Sequence, residues 1–337
     1  TEDFTVNGLT VGKGANAVST NTALGVSALT SGSLSGQSNT AVGNQTLLSN
    51  TTGTANTVVG RQALYFNTSG DNNVATGFNA LVNNTTASNN TAYGTSAMSV
   101  NTTGASNVAV GYQSLYNNTT ASNNIAVGAA ALRYNTTGGN NVAVGYQALF
   151  DNITGVNNTA VGNSTLANNT GSNNTALGLT ALFTNTTGGS NVGLGINSLR
   201  LNTTGSANVA VGDSALYNNA TANYNTAVGY QALFDNTTGT SLVALGYQAL
   251  TNNTTGNSST AVGASALISN TTGAANAAFG RDALRSNIGG AYNTGIGYYA
   301  GYSTTTGNFN TAIGGQSLYS NTTASAMTAV GYQALYS

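Results

Sequence analysis

Asn141-Val142-Ala143-Val144-Gly145-Tyr146-Gln147-Ala148-Leu149 is the stretch that decides the fold, because it returns nearly unchanged along the chain. The glycine closing its Ala-Val-Gly step recurs at nineteen places, from Gly25 and Gly43 through Gly145 to Gly314 and Gly331. Sixteen of the eighteen spacings are 17 residues; Gly25 to Gly43 is 18 and Gly162 to Gly178 is 16. A fixed period just under 20 residues marks a stacked array of small units. It overrides the two-domain expectation that 337 residues would raise, because such an array grows by adding coils and keeps no single globular core.

Each unit reads column by column. Asn stands four residues before the glycine in sixteen of nineteen units, with Leu242, Ser259 and Met327 as the exceptions. Thr or a β-branched apolar residue follows, then Ala, then Val, Leu or Ile, as in Thr40-Ala41-Val42 and Val108-Ala109-Val110. Large–small–large is a period of two, which predicts a strand. Its large residues are expected to point into the coil, with the Ala column on the outer face. Four residues after the glycine comes Leu in seventeen of nineteen units, a second inward column on a second short strand. An Asn-Thr-Thr-Gly stretch such as Asn101-Thr102-Thr103-Gly104 then turns the chain. The Ala-Val-Gly glycine is the other corner, where a side chain would obstruct the bend. The expectation is an all-β, parallel β-solenoid (β-roll) of about nineteen 17-residue coils. At ~4.8 Å per coil the rod is on the order of 90 Å long. Helical repeats, at ~33–47 residues, are too long for this period. Residues 1–20 depart from the pattern and read as an N-terminal cap or docking segment, with residues 21–337 as the repeat shaft.

Composition bounds the function. Charged residues are 4% of the chain and the net charge is −1, so there is no basic patch for nucleic acid. There is no His and no Cys, hence no thiolate metal site and no base for a nucleophilic triad. No apolar run is long enough to span a membrane. Asp151 and Asp235 share a column five coils apart, roughly 24 Å at the strand spacing. That is too far for a paired-carboxylate mechanism, which needs ~5–9.5 Å. The reading is therefore no enzyme, no cofactor and no metal.

Several features remain open to binding. Asn-x-Thr sequons recur, among them Asn101, Asn118, Asn135, Asn202 and Asn236, as candidate N-glycosylation sites. The alternative is that stacked Asn and Thr side chains bond to one another as ladders. Tyrosines after the glycine, such as Tyr112 and Tyr146, read either as packing at a subunit interface or as platforms for surface glycans. The Ala column, including Ala109 and Ala143, reads as a smooth stripe for lateral self-association. The final coil around Gly331 and Leu335 reads as an end to be covered, with Phe4, Val6 and Leu9 of a neighbouring chain as the plug; contacts of that kind propagate into filaments.

The Ala-Val-Gly-x-x-Ala core resembles the β-roll repeat in the heads of trimeric autotransporter adhesins. The longer unit, with its Asn-Thr-Thr-Gly turn, resembles the repeat shafts of phage tail-fibre-type proteins, and Phe4-Thr5-Val6-Asn7-Gly8-Leu9-Thr10-Val11-Gly12 is similar to the front of such fibres. Many of those carry an endosialidase-type chaperone that is cut off after trimerisation. The resemblance implies a homotrimer, partners that are copies of the chain itself, and an extracellular, cell-surface or virion location. The expected function is a structural fibre or filament subunit, a rigid rod or adhesive appendage. The competing reading is a ligand-binding solenoid, for glycans or for ice.

Overall fold

A computed structural model describes residues 4–337; the side chains of Thr5 and Val6 lie outside that description. The chain forms a parallel β-solenoid of about 18 turns with ~17-residue repeats. Nineteen glycine corners enclose eighteen complete turns, which accounts for the difference from the sequence count. The residues fall into two compact units, one ending at Thr170 and one starting at Gly171.

In the first unit, β1 (Phe4–Val6) and β2 (Leu9–Gly12) form an antiparallel hairpin. β2 then pairs antiparallel with β3 (Thr22–Gly25), the first strand of the repeat. The atypical opening segment thus extends the sheet at the start of its own first coil. Later strands are three residues long and pair in parallel, one repeat apart: Val142 sits opposite Ile125, Ala143 opposite Ala126 and Val144 opposite Val127. The second unit repeats this from Thr175–Leu177 to Thr328–Val330.

The strand faces are the reverse of the sequence expectation. Ala109 and Ala143 are wholly buried, while Val108, Val110, Val142 and Val144 are half-buried, and Ile125 and Val127 are exposed. The large residues point outward and the alanines point in. The reason is the width of the coil. Its interior must also hold Ala148, Leu149, Asn141 and Asn152, all wholly buried, so the strand wall can contribute only a methyl group to a close-packed centre. Alternation fixes which residues share a face and leaves open which face is the core.

The second strand is also absent. The Leu segment is a turn because its backbone alternates into the left-handed region, with φ of 54° at Gln147 and 52° at Leu149. The amides of these two residues bond to opposite neighbours, while Ala148 N–H between them donates to Gly145 O of its own turn at 3.4 Å. Gln147 N–H donates to Ala129 O of the preceding coil at 3.1 Å, and Leu149 N–H donates to Thr165 O of the following coil at 3.0 Å. Leucine in this region is strained. Full burial of its side chain, about 1.5–3 kcal/mol, offsets that strain.

Two ladders of buried asparagine complete the interior. Asn67, Asn84, Asn101, Asn118, Asn135 and Asn152 each donate Nδ2–H to Oδ1 of the Asn one coil earlier, at 2.8–3.0 Å. Each also donates to a carbonyl three residues on, as Asn101 does to Gly104 O at 3.0 Å. In the second ladder, Asn107 Oδ1 accepts from the Asn124 backbone N–H at 2.9 Å, and Asn107 Nδ2 donates to Ala121 O at 2.8 Å. Buried amides are tolerable because their donors and acceptors are matched in this way.

The ladder breaks where Thr304 replaces Asn. Asn287 Oδ1 and Thr304 Oγ1 are both buried without a hydrogen-bond partner. A buried orphan acceptor costs about 1–3 kcal/mol. Thr304→Asn is therefore expected to stabilise the second unit by about 1–2 kcal/mol, read as a rise in melting temperature of a few degrees. An unchanged or lower melting temperature would remove this account of the ladder.

Candidate functional site

The sequence-predicted residues divide sharply by position. Ala109 and Ala143 line the interior, so neither can form an outer stripe. The exposed stripe consists instead of their neighbours. In the first unit Val59 is 39% exposed and Tyr93 60%, with Thr57 and Val74 also exposed on that face. This correction moves the apolar surface from a row of methyl groups to a ribbed face of Thr, Val, Ile and Leu.

Asn101, Asn118, Asn135, Asn202 and Asn236 are all wholly buried. Each donates its amide hydrogens along the ladder and to a carbonyl of its own turn, as Asn118 does to Asn101 Oδ1 and Ala121 O and Asn202 does to Asn185 Oδ1 and Gly205 O. A glycan on Nδ2 would remove one of these donors and would have to leave through the coil wall. The folded coil presents none of the five amides at its surface.

Phe4 is 68% exposed and Leu9 38%, on the hairpin that extends β3; the Val6 side chain lies outside the described residues. Gly331 and Leu335 are exposed.

Aromatic side chains run along the coils in columns. Tyr302, Tyr319 and Tyr336 stack face to face at 5.1 and 5.0 Å, and Tyr217 stacks on Phe234 at 5.0 Å. A ring covered by its neighbours offers a ligand only its edge, which disfavours this column as a row of sugar platforms. Arg133 and Arg200 stand over rings in their own units, 5.9 Å from the Phe150 centroid and 5.7 Å from that of Tyr217, and Arg200 Nη1 donates to the Tyr217 hydroxyl at 2.9 Å. These arginines are packed into the aromatic column. The tyrosines just after the glycine are freer: Tyr112 is 57% exposed.

The acidic side chains do not gather. Asp71 accepts from Thr54 N–H at 2.6 Å, and Asp235 accepts from Asn218 Nδ2 at 3.0 Å. Partial burial raises the pKa of Asp151 above the ordinary carboxylate value. No group of three or more His, Cys, Asp or Glu side chains that could hold a metal occurs among the described residues. No helix among them is long and apolar enough to cross a membrane. The densest charged constellation is in the second unit. Arg281 Nε and Arg285 Nη1 donate to opposite oxygens of the buried Asp282 carboxylate, at 3.1 and 2.9 Å.

Comparison with protein-family models, with curated proteins and with solved structures found no match for this chain.

Proposed function

We propose that this chain is a structural rod segment: a subunit of an extracellular or virion-associated fibre or filament that associates with copies of itself. The observation that carries this reading is the register of coil-to-coil backbone bonding, repeated through each unit and accompanied by asparagine ladders that break where another residue takes the column, as at Thr304. Stability in such an array comes from nearest-neighbour stacking and grows with coil number. In this reading the chain carries no catalytic chemistry and needs no cofactor.

Lateral association is assigned to the ribbed strand face. Burying a Val or Leu side chain is worth about 1.5–3 kcal/mol, equivalent to roughly 60–120 Å² of apolar surface. Two half-exposed side chains per rung then give on the order of 100 Å². Nine rungs in the first unit approach the ~800 Å² that each partner contributes to a stable interface. Three copies about an axis is the arrangement that the resemblance implies. Val144→Lys is expected to abolish lateral assembly, because it sets a charge into an apolar contact, while leaving the coil's stability within about 0.5 kcal/mol of wild type. Sedimentation velocity with electron microscopy checks this. A wild-type chain that is monomeric at micromolar concentration would overturn the lateral contact.

One observation favours ice binding as a second reading: the strand threonines, including Thr40, Thr57, Thr91 and Thr159, stand on the outer face. Val74, Val108, Ile125 and Val142 interrupt that column, and Tyr93 projects from the neighbouring one. A rod that serves as a shaft gives no thermal hysteresis; a measurable effect would favour ice.

A further inference from the structure

The repeat is broken most heavily at one place in the second unit, on the inside and on the outside together. Inside, Gly295, Gly301 and Thr304 occupy, within one coil, positions that hold Ala, Leu and Asn in nearly every other coil. Outside, on this coil and the one before it, charge and aromatic side chains converge. Arg281, Asp282 and Arg285 sit one repeat of 17 residues before Tyr298, Tyr299 and Tyr302, so each charged residue lies under a tyrosine. Departures from an otherwise consistent pattern are where function is expected.

The side chains are held from several directions. The Asp282 side chain is 2% exposed, and it fixes both guanidiniums, Arg281 through Nε at 3.1 Å and Arg285 through Nη1 at 2.9 Å. Arg285 also lies 5.9 Å from the Tyr302 ring centroid, and Tyr302 is stacked on Tyr319. Two cations on one anion leave a net positive charge in a chain with few charges of any kind. A guanidinium has five N–H donors. The Arg281 and Arg285 side chains are 67% and 41% exposed, so their outer donors face solvent. Beside them Tyr298 and Tyr299 form a tilted pair, with centroids 4.0 Å apart and planes at 47°, and Tyr298 is 48% exposed. A hydrogen bond with Tyr298, then desolvation, raises the Tyr299 pKa above its ordinary value. The bland alternative is an exposed ion pair, which contributes little stability. It does not account for a carboxylate buried to orient two arginines outward.

We propose that Arg281 and Arg285 form a binding subsite for the oxyanion of an acidic saccharide, with Tyr298 and Tyr299 as its apolar wall. A planar guanidinium fork matches carboxylate and sulfate oxygens, and the tyrosine pair suits the C–H face of a sugar ring. The site stands apart from the lateral contact, because it lies on the turn that follows the glycine.

Calorimetric titration of the full chain with a galacturonic acid tetramer, a sulfated galactose tetramer and the neutral galactose tetramer tests this. At least one acidic probe is expected to bind with Kd near about 1 mM and to weaken as salt rises, while the neutral tetramer does not bind. Binding of the uronate alone assigns a carboxylate, and binding of the sulfated probe alone a sulfate ester; either supports the site. Arg281→Gln should leave the chain folded at the titration temperature, with a melting temperature lower by no more than a few degrees because Asp282 keeps Arg285, and lose about tenfold or more in affinity. Arg281→Lys should fall between the two, as the charge remains and the fork is lost. No binding of either acidic probe, equal binding of the neutral one, or undiminished binding by Arg281→Gln would each overturn the proposal.

Discussion

Leu149→Asp is expected to open the first unit at its centre. Leu149 is wholly buried, and its column continues through Leu132 and Leu166 on the adjacent coils, also wholly buried. The nearby asparagine amides of Asn135 and Asn152 are already matched with partners, and no Lys or Arg is buried among the described residues to meet a carboxylate. An uncompensated buried charge costs roughly 3–5 kcal/mol. Because each coil is held only by its neighbours, the loss does not spread evenly over the array. The expected result is a chain whose first unit melts in two parts, or at a temperature lower by 10 °C or so. Circular dichroism melts with hydrogen exchange of the amides of Leu132 and of residue 149 check it. A melt that superimposes on wild type would show that this column does not face inward.

Gly145→Ala is the second large effect. Gly145 has φ of 137°, and a Cβ built on it would lie 2.3 Å from Gly162 O in the next coil. The obstruction is backbone, so no rotamer change relieves it. Strain at such a φ costs about 1–3 kcal/mol and overpacking about 1–3 kcal/mol more, a combined loss of about 2–6 kcal/mol. Comparison with Ala129→Gly, a change at a half-buried turn position two residues past Val127, gives a reference without the corner clash: that variant is expected to shift stability by about 1 kcal/mol or less. Equal melting of Gly145→Ala and wild type would mean that neighbouring corners do not approach as described.

The architecture was legible because the signal was the period. Nineteen glycines at a near-constant spacing place a corner in every coil, and the Asn-Thr-Thr-Gly stretch places the opposite turn, whichever way the walls face. The facing of the strand was not legible. Val142-Ala143-Val144 alternates equally well with Val in or Ala in. The choice depends on how much volume Leu149, Asn141 and Asn152 already occupy, which is a property of the closed coil. The missing second strand has a similar origin. Gln147 and Leu149 carry no mark of positive φ, and Leu is ordinarily disfavoured there; only stacking of the same turn on itself imposes it. The asparagine ladders were foreseen as an alternative to glycosylation, since a residue that recurs once per coil stacks on its own copies. The Arg281–Asp282–Arg285 group was not legible, because it lies along one coil and a column-by-column reading follows residues that repeat from coil to coil.

The central claim is that the strand turns its alanines inward and its branched residues outward. The chain has no native Cys, so single-cysteine variants give a clean reading. Thiol labelling of Ala143→Cys and Val144→Cys, each in dilute native solution, compares two adjacent positions on opposite faces. The account predicts that the thiol at position 144 reacts at close to the rate of a free thiol, while the thiol at position 143 reacts only as fast as the coil opens, slower by orders of magnitude. Fast labelling at 143 with protection at 144 would contradict it.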